Sequence, residues 1–136
     1  MSTVRLSGID TYYTVQGEGP PLVLLHGGMA DGTSWGPHAA LLADRYRVYV
    51  PDRRGHGRTP DSDEPFSYDS MAAETIAFCE AVVGTPAHLV GWSDGGNTAL
   101  VTGLQRPDLV NRQVLIGANF HHSGVRVEEL GLGDGP

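Results

Sequence analysis

The chain has 136 residues, 40 % of them apolar and 18 % charged. That composition builds a folded core, excludes a disordered or fibrous segment, and suits one domain. Its formal charge of −7 repels phosphate, so nucleic acid is not expected as a partner. There is no apolar window of the length a membrane span needs, so no membrane partner is expected. Residues 1–10 carry no secretory signal, and a cytoplasmic location is expected.

Residues 11–15 are rich in β-branched and aromatic side chains and read as a strand, which Gly17-Glu18-Gly19-Pro20-Pro21 ends. Residues 22–25 form an unbroken apolar run closed by His26-Gly27-Gly28. Such a run fits a parallel strand covered on both faces. Residues 34–43 read as a helix with Trp35, Leu41 and Leu42 as its apolar positions. Residues 47–50 give a second buried strand, closed by Pro51-Asp52.

Residues 53–66 follow as a loop of turn formers. From Ser67 onward Met71, Thr75, Phe78 and Val82 recur at helical spacing on one face, and Gly84 with Pro86 ends the run. Residues 87–92 are a third buried strand and residues 94–105 a helix, stopped by Pro107. Residues 113–117 are a fourth buried strand. Residues 124–136 are polar and glycine-rich, with no closing strand. Strands alternating with helices from residue 22 onward argue for an α/β fold with a doubly wound, mainly parallel sheet.

The chemistry is concentrated at Gly91-Trp92-Ser93-Asp94-Gly95, a G-x-S-x-G pattern lying between a strand and a helix. A sharp turn there lifts the serine hydroxyl above the sheet, and the helix beginning at Asp94 aims its N-terminal amides at the same point. With 19 glycines in the chain, the bare pattern would arise by chance in roughly one such chain in seven, so its context decides its weight. Cys79, the only cysteine, cannot form an internal disulfide. It reads as a half-buried small residue, not a catalytic thiol.

His26-Gly27-Gly28, Asp52-Arg53-Arg54-Gly55-His56-Gly57-Arg58-Thr59 and Gly91-Trp92-Ser93-Asp94-Gly95-Gly96 stand in the order and at the spacing of the α/β-hydrolase family. The chain resembles that family over residues 10–120. The Gly91–Gly96 run, with Ile116-Gly117-Ala118-Asn119, most resembles its valacyclovir-hydrolase (biphenyl-hydrolase-like) esterase branch. The resemblance implies a serine hydrolase of ester or related acyl bonds, acting on a small-molecule substrate. Ser93 would be the catalytic nucleophile, and the backbone amides of Gly28 and Asp94 would form the oxyanion hole. It implies that His26 shapes the oxyanion loop. His56 and Asp52 read as structural members of the 53–58 turn. No metal cluster and no nucleotide-binding glycine spacing is present, so neither metal nor cofactor is expected.

A serine needs a histidine base oriented by a carboxylate, in this fold in the order Ser, acid, His. After Ser93 the chain offers Asp94, Asp108, Glu128, Glu129 and Asp134, and His121 and His122. Asp108 is expected at the far end of a helix about 18 Å long. Asp134 follows both histidines, and Asn119 is an amide where some family members carry the acid. The expectation is therefore the N-terminal part of a single α/β-hydrolase domain, ending where a cap would begin, and inactive alone. A non-catalytic remnant that binds a small molecule or partner is the alternative.

Overall fold

The computed structural model describes residues 2–62 and 67–117. A six-stranded sheet runs through it. The strands are β1 (Ser2–Leu6), β2 (Ile9–Gln16), β3 (Pro21–Leu25), β4 (Arg47–Pro51), β5 (Ala87–Trp92) and β6 (Val110–Ile116), in the spatial order β1-β2-β4-β3-β5-β6. β1 with β2 and β2 with β4 are antiparallel, while β4–β3, β3–β5 and β5–β6 are parallel. The sheet is mainly parallel and helices lie on both of its faces, as the strand–helix alternation requires.

The apolar run of β3 explains its central place. Val23 and Leu25 enter one core with Tyr49, Phe78, Leu89 and Ala99, and Leu22 and Leu24 enter the opposite core with Ala39, Val48 and Val50. These β3 side chains are at most 4 % exposed. Each gains about 1.5–3 kcal/mol from leaving water, and only a strand covered on both faces can bury all four.

Helix α1 (Pro37–Leu42) covers one face, and α2 (Tyr68–Phe78) and α3 (Asp94–Gln105) cover the other. α2 starts with a reciprocal capping box. The Ser67 hydroxyl accepts from the Ser70 amide at 3.0 Å, and the Ser70 hydroxyl accepts from the Ser67 amide at 3.1 Å. It runs into a π turn at Cys79–Val83, closed by left-handed Gly84.

Three elements depart from the expectations above. β1 is a strand that residues 2–6 did not announce. The helix expected over 34–43 is split, because Gly36 adopts φ 55, ψ −133 between a 3-10 turn at Gly32–Trp35 and α1. Leu41, expected on its apolar face, is 65 % exposed. The last strand begins at Val110 rather than at Gln113, and its Val114 and Ile116 are about half exposed rather than buried; among the described residues it lies at the edge of the sheet.

Candidate active site

The β5–α3 junction is built on close backbone approach. A Cβ on Gly91 would run into the Gly95 carbonyl, and a Cβ on Gly95 into the carbonyls of Leu25 and His26. Glycine at both positions lets α3 start directly against β3 and β5. Ser93 stands between them at φ 55, ψ −114. It is one of three non-glycine residues with positive φ among the described residues. Such a conformation costs of order 1–3 kcal/mol and persists only where the surroundings impose it. Here the Ser93 amide donates to the Ile116 carbonyl at 2.6 Å, and the Ser93 carbonyl accepts from the Asn97 amide at 3.1 Å. The residue is exposed.

The loop after β3 comes alongside. A Cβ on Gly28 would lie 3.8 Å from the Cβ of Asp94, and one on Gly27 would lie 3.2 Å from the Trp92 ring. Gly28, Ser93 and Asp94 are therefore brought together from two elements that are far apart in sequence. Met29, with φ 60, is fully exposed beside them, and Trp92 is 44 % exposed.

His26 is fully buried. Its Nε2 accepts from the Arg53 amide at 2.9 Å and its Nδ1 donates to the Gly27 carbonyl at 2.8 Å. Burial is the main cause that pushes its pKa down to about 4, with a smaller push from Arg53. It is neutral and structural, as the sequence implied. Asp52, 2 % exposed, accepts from the Gly32 amide at 2.8 Å and from the amide and Nε of Arg58 at 3.1 and 3.2 Å. It pins the turn after β4 to the loop after β3. In that turn, His56 Nδ1 hydrogen-bonds the Arg54 carbonyl at 2.9 Å.

Arg53 is the residue that sequence reasoning missed. It appeared there only as one letter of a turn motif. Its side chain, 8 % exposed, donates through Nη1 to the His26 carbonyl at 2.5 Å. Through Nη2 it donates to Asp94 Oδ2 at 3.0 Å, Thr98 Oγ1 at 2.9 Å and Met71 Sδ at 3.1 Å. The available signal was an arginine directly after a strand-ending Pro-Asp, facing an aspartate in the first turn of another helix.

The Asp94 carboxylate is thus committed to Arg53. Asp108 lies beyond the C-terminal end of α3 and is held below the usual carboxylate range by Arg106 at 2.9–3.0 Å. Cys79 is 1 % exposed, and burial, with a smaller contribution from Glu80, pushes its thiol up to about 11. His121, His122, Asn119, Glu128, Glu129 and Asp134 lie outside the described residues. Among the described residues no three His, Cys, Asp or Glu side chains converge as metal ligands, and no helix is long and apolar enough to cross a membrane. A separate cavity of about 180 Å³ lies under α2. Its walls include Leu6, Ile9, Phe78, Arg53 and Arg54 but not Ser93.

A family model described as alpha/beta hydrolase fold matches residues 20–131. The chain is 34 % identical over 127 residues to a pyrrolizixenacetamide deacetylase of Xenorhabdus hominickii, covering 93 % of this chain and 48 % of that protein. It is 34 % identical over 124 residues to the serine hydrolase BPHL of Homo sapiens, covering 87 % and 43 %. Among solved structures, the meta-cleavage product hydrolase CumD of Pseudomonas fluorescens IP01 superposes with a TM-score of 0.80 at 33 % identity, covering 87 % of this chain and 45 % of that one. An N-acyl homoserine lactone degrading enzyme superposes at 0.84 with 29 % identity, covering 96 % and 51 %. The chain spans about half the length of the relatives it matches. The match over residues 20–131, on a sheet whose β5–α3 turn carries Ser93 as described, makes this chain a member of the α/β-hydrolase family.

Proposed function

We propose that the chain supplies the nucleophile and oxyanion hole of a serine hydrolase that cleaves an ester or related acyl bond of a small molecule. The observation that carries this reading is the exposed Ser93 held at φ 55 at the head of α3, beside the Gly28 loop. In the proposed reaction the Ser93 oxygen attacks the acyl carbon. The amides of Gly28 and Asp94 take the oxyanion, the alcohol or amine leaves, and water releases the acyl group. The hydrolytic relatives named above support the reaction class. The base and the acid are assigned to the part of the domain that these relatives have and residues 2–62 and 67–117 do not describe.

The test is labelling by a fluorophosphonate in the complete hydrolase, followed by peptide mapping. Modification of Ser93, lost in Ser93→Ala, is the expected result. A folded protein that turns over esters without labelling at Ser93 overturns the reading.

A second reading is a fold kept for binding. One observation favours it: His26 and Asp94, a histidine and a carboxylate on the two elements that carry the proposed oxyanion amides, are both tied to Arg53. It predicts no ester turnover, and a ligand affinity that Ser93→Ala leaves unchanged.

A further inference from the structure

We infer that Arg53 is the positioning residue of the oxyanion hole, holding its two halves in register and compensating the one negative charge built into it. The inference rests on the reading above, in which the amides of Gly28 and Asp94 receive the oxyanion.

The two donors come from different elements, so something must fix their separation. The Arg53 side chain binds both elements. Nη1 holds the carbonyl of His26, two residues before Gly28, and Nη2 holds the carboxylate of Asp94. Its own amide fixes the His26 ring, so the loop after β3 is gripped at its main chain and at its side chain. Nη2 also reaches Thr98, one turn further along α3, so the helix is gripped at two levels. The guanidinium suits this task because its planar fork presents several donors at fixed angles, which a lysine ammonium does not.

Charge gives the second part of the argument. Asp94 places a carboxylate on the very residue whose amide faces the developing negative oxygen. Left alone, it would oppose that charge where the hole must favour it. The ion pair at 3.0 Å, with Arg53 buried, cancels the field of the carboxylate without moving its backbone. The pairing therefore acts mainly in the transition state, when the oxygen carries charge, and little on the neutral substrate.

The experiment is a double-mutant cycle in the complete hydrolase, using p-nitrophenyl ester turnover and the affinity of a trifluoromethyl ketone, which forms an oxyanion on Ser93. Arg53→Met is expected to lower kcat about 100-fold with KM within about threefold, and to weaken the trifluoromethyl ketone in parallel. In an Asp94→Asn background the same change is expected to cost about tenfold less, because no carboxylate is left uncompensated. Equal losses in both backgrounds, or a loss confined to KM, overturn the inference. If Arg53→Met does not fold, Arg53→Lys decides. It keeps the charge but cannot hold His26 and Asp94 together, so a kcat about tenfold down is expected, and wild-type kcat overturns the inference. Ester turnover that survives Ser93→Ala would overturn the functional reading and this inference together. Ser93-dependent turnover with no coupling to Asp94 overturns only the role of Arg53.

Discussion

His26 and Arg53 hold each other in both directions: the Arg53 amide donates to His26 Nε2 at 2.9 Å, and the Arg53 guanidinium donates to the His26 carbonyl at 2.5 Å. The pair joins the ends of β3 and β4, neighbours in the sheet although 27 residues apart. It requires the imidazole to be neutral, because a protonated Nε2 has no lone pair for the Arg53 amide.

A pH dependence of stability follows. His26 titrates at about 4 in the folded protein, against 6.5 for the free side chain. Between those values the unfolded chain takes up a proton that the folded one refuses. Stability is therefore full above pH 6.5 and falls as pH drops toward 4. The total loss from this group is about 3 kcal/mol at 1.36 kcal/mol per pKa unit. Urea midpoints of the wild type and His26→Gln across this range are the measurement. The variant is expected to lose most of the slope, and an unchanged slope would show that other groups carry the acid sensitivity.

Ser93 offers a trade between stability and chemistry. Its φ of 55 is a conformation that glycine adopts freely. Ser93→Gly is expected to remove about 1–3 kcal/mol of strain while adding about 0.5–1 kcal/mol of unfolded-state entropy. The net result is a modest rise in melting temperature together with loss of the ester turnover proposed above for Ser93. A fall in melting temperature would mean that the turn is not strained.

Much of this was legible in the sequence, for identifiable reasons. Residues 22–25 and 47–50 are continuous apolar runs because their strands are covered on both faces, and that signal does not depend on distant residues. Gly91 and Gly95 are legible because only glycine fits where α3 starts against β3. β1 was missed because Ser-Thr-Val-Arg-Leu is half polar, and its stability comes from pairing with β2. Its signal was local: Ser7-Gly8, both at positive φ, form the two-residue turn of a hairpin. The π turn after Phe78 keeps near-helical spacing, so periodicity alone cannot separate it from α2. Arg53 was invisible in its role because its partners lie 27, 18, 41 and 45 residues away. A contact network of that kind exists only once the sheet order is known.

Asp52 makes the turn after β4 testable by proteolysis. It is buried and receives three N–H groups from Gly32 and Arg58. Asp52→Ala removes the acceptor that the Gly32 amide and the Arg58 amide and Nε share, a loss of about 0.5–1.5 kcal/mol per hydrogen bond where water can take the acceptor's place. Trypsin is expected to cut after Arg58 much faster in the variant than in the wild type under native conditions. Asp52→Asn, which keeps an acceptor oxygen but not the charge, is expected to lie between them. Equal cleavage rates in all three proteins would show that the turn is held by something else.

The edge at β6 carries the last expectation. Among the described residues β6 pairs only with β5, through Val90 opposite Val114 and Trp92 opposite Ile116. Val114 and Ile116 lie on one face of the strand and are 55 and 45 % exposed. A strand with free backbone groups along one side and two large apolar side chains in water is a template for pairing with another chain. The 136-residue chain is expected to self-associate at micromolar concentration, and Val114→Lys with Ile116→Thr is expected to shift it toward monomer without changing its melting temperature in dilute solution. The lysine supplies charge on an exposed face, where its burial cost is small, and the threonine keeps the β-branched shape that the strand favours. Sedimentation velocity over a concentration series is the measurement. A wild-type chain that stays monomeric and melts cooperatively would mean that this edge is already covered. Association that the two substitutions do not reduce would place the contact elsewhere on the surface.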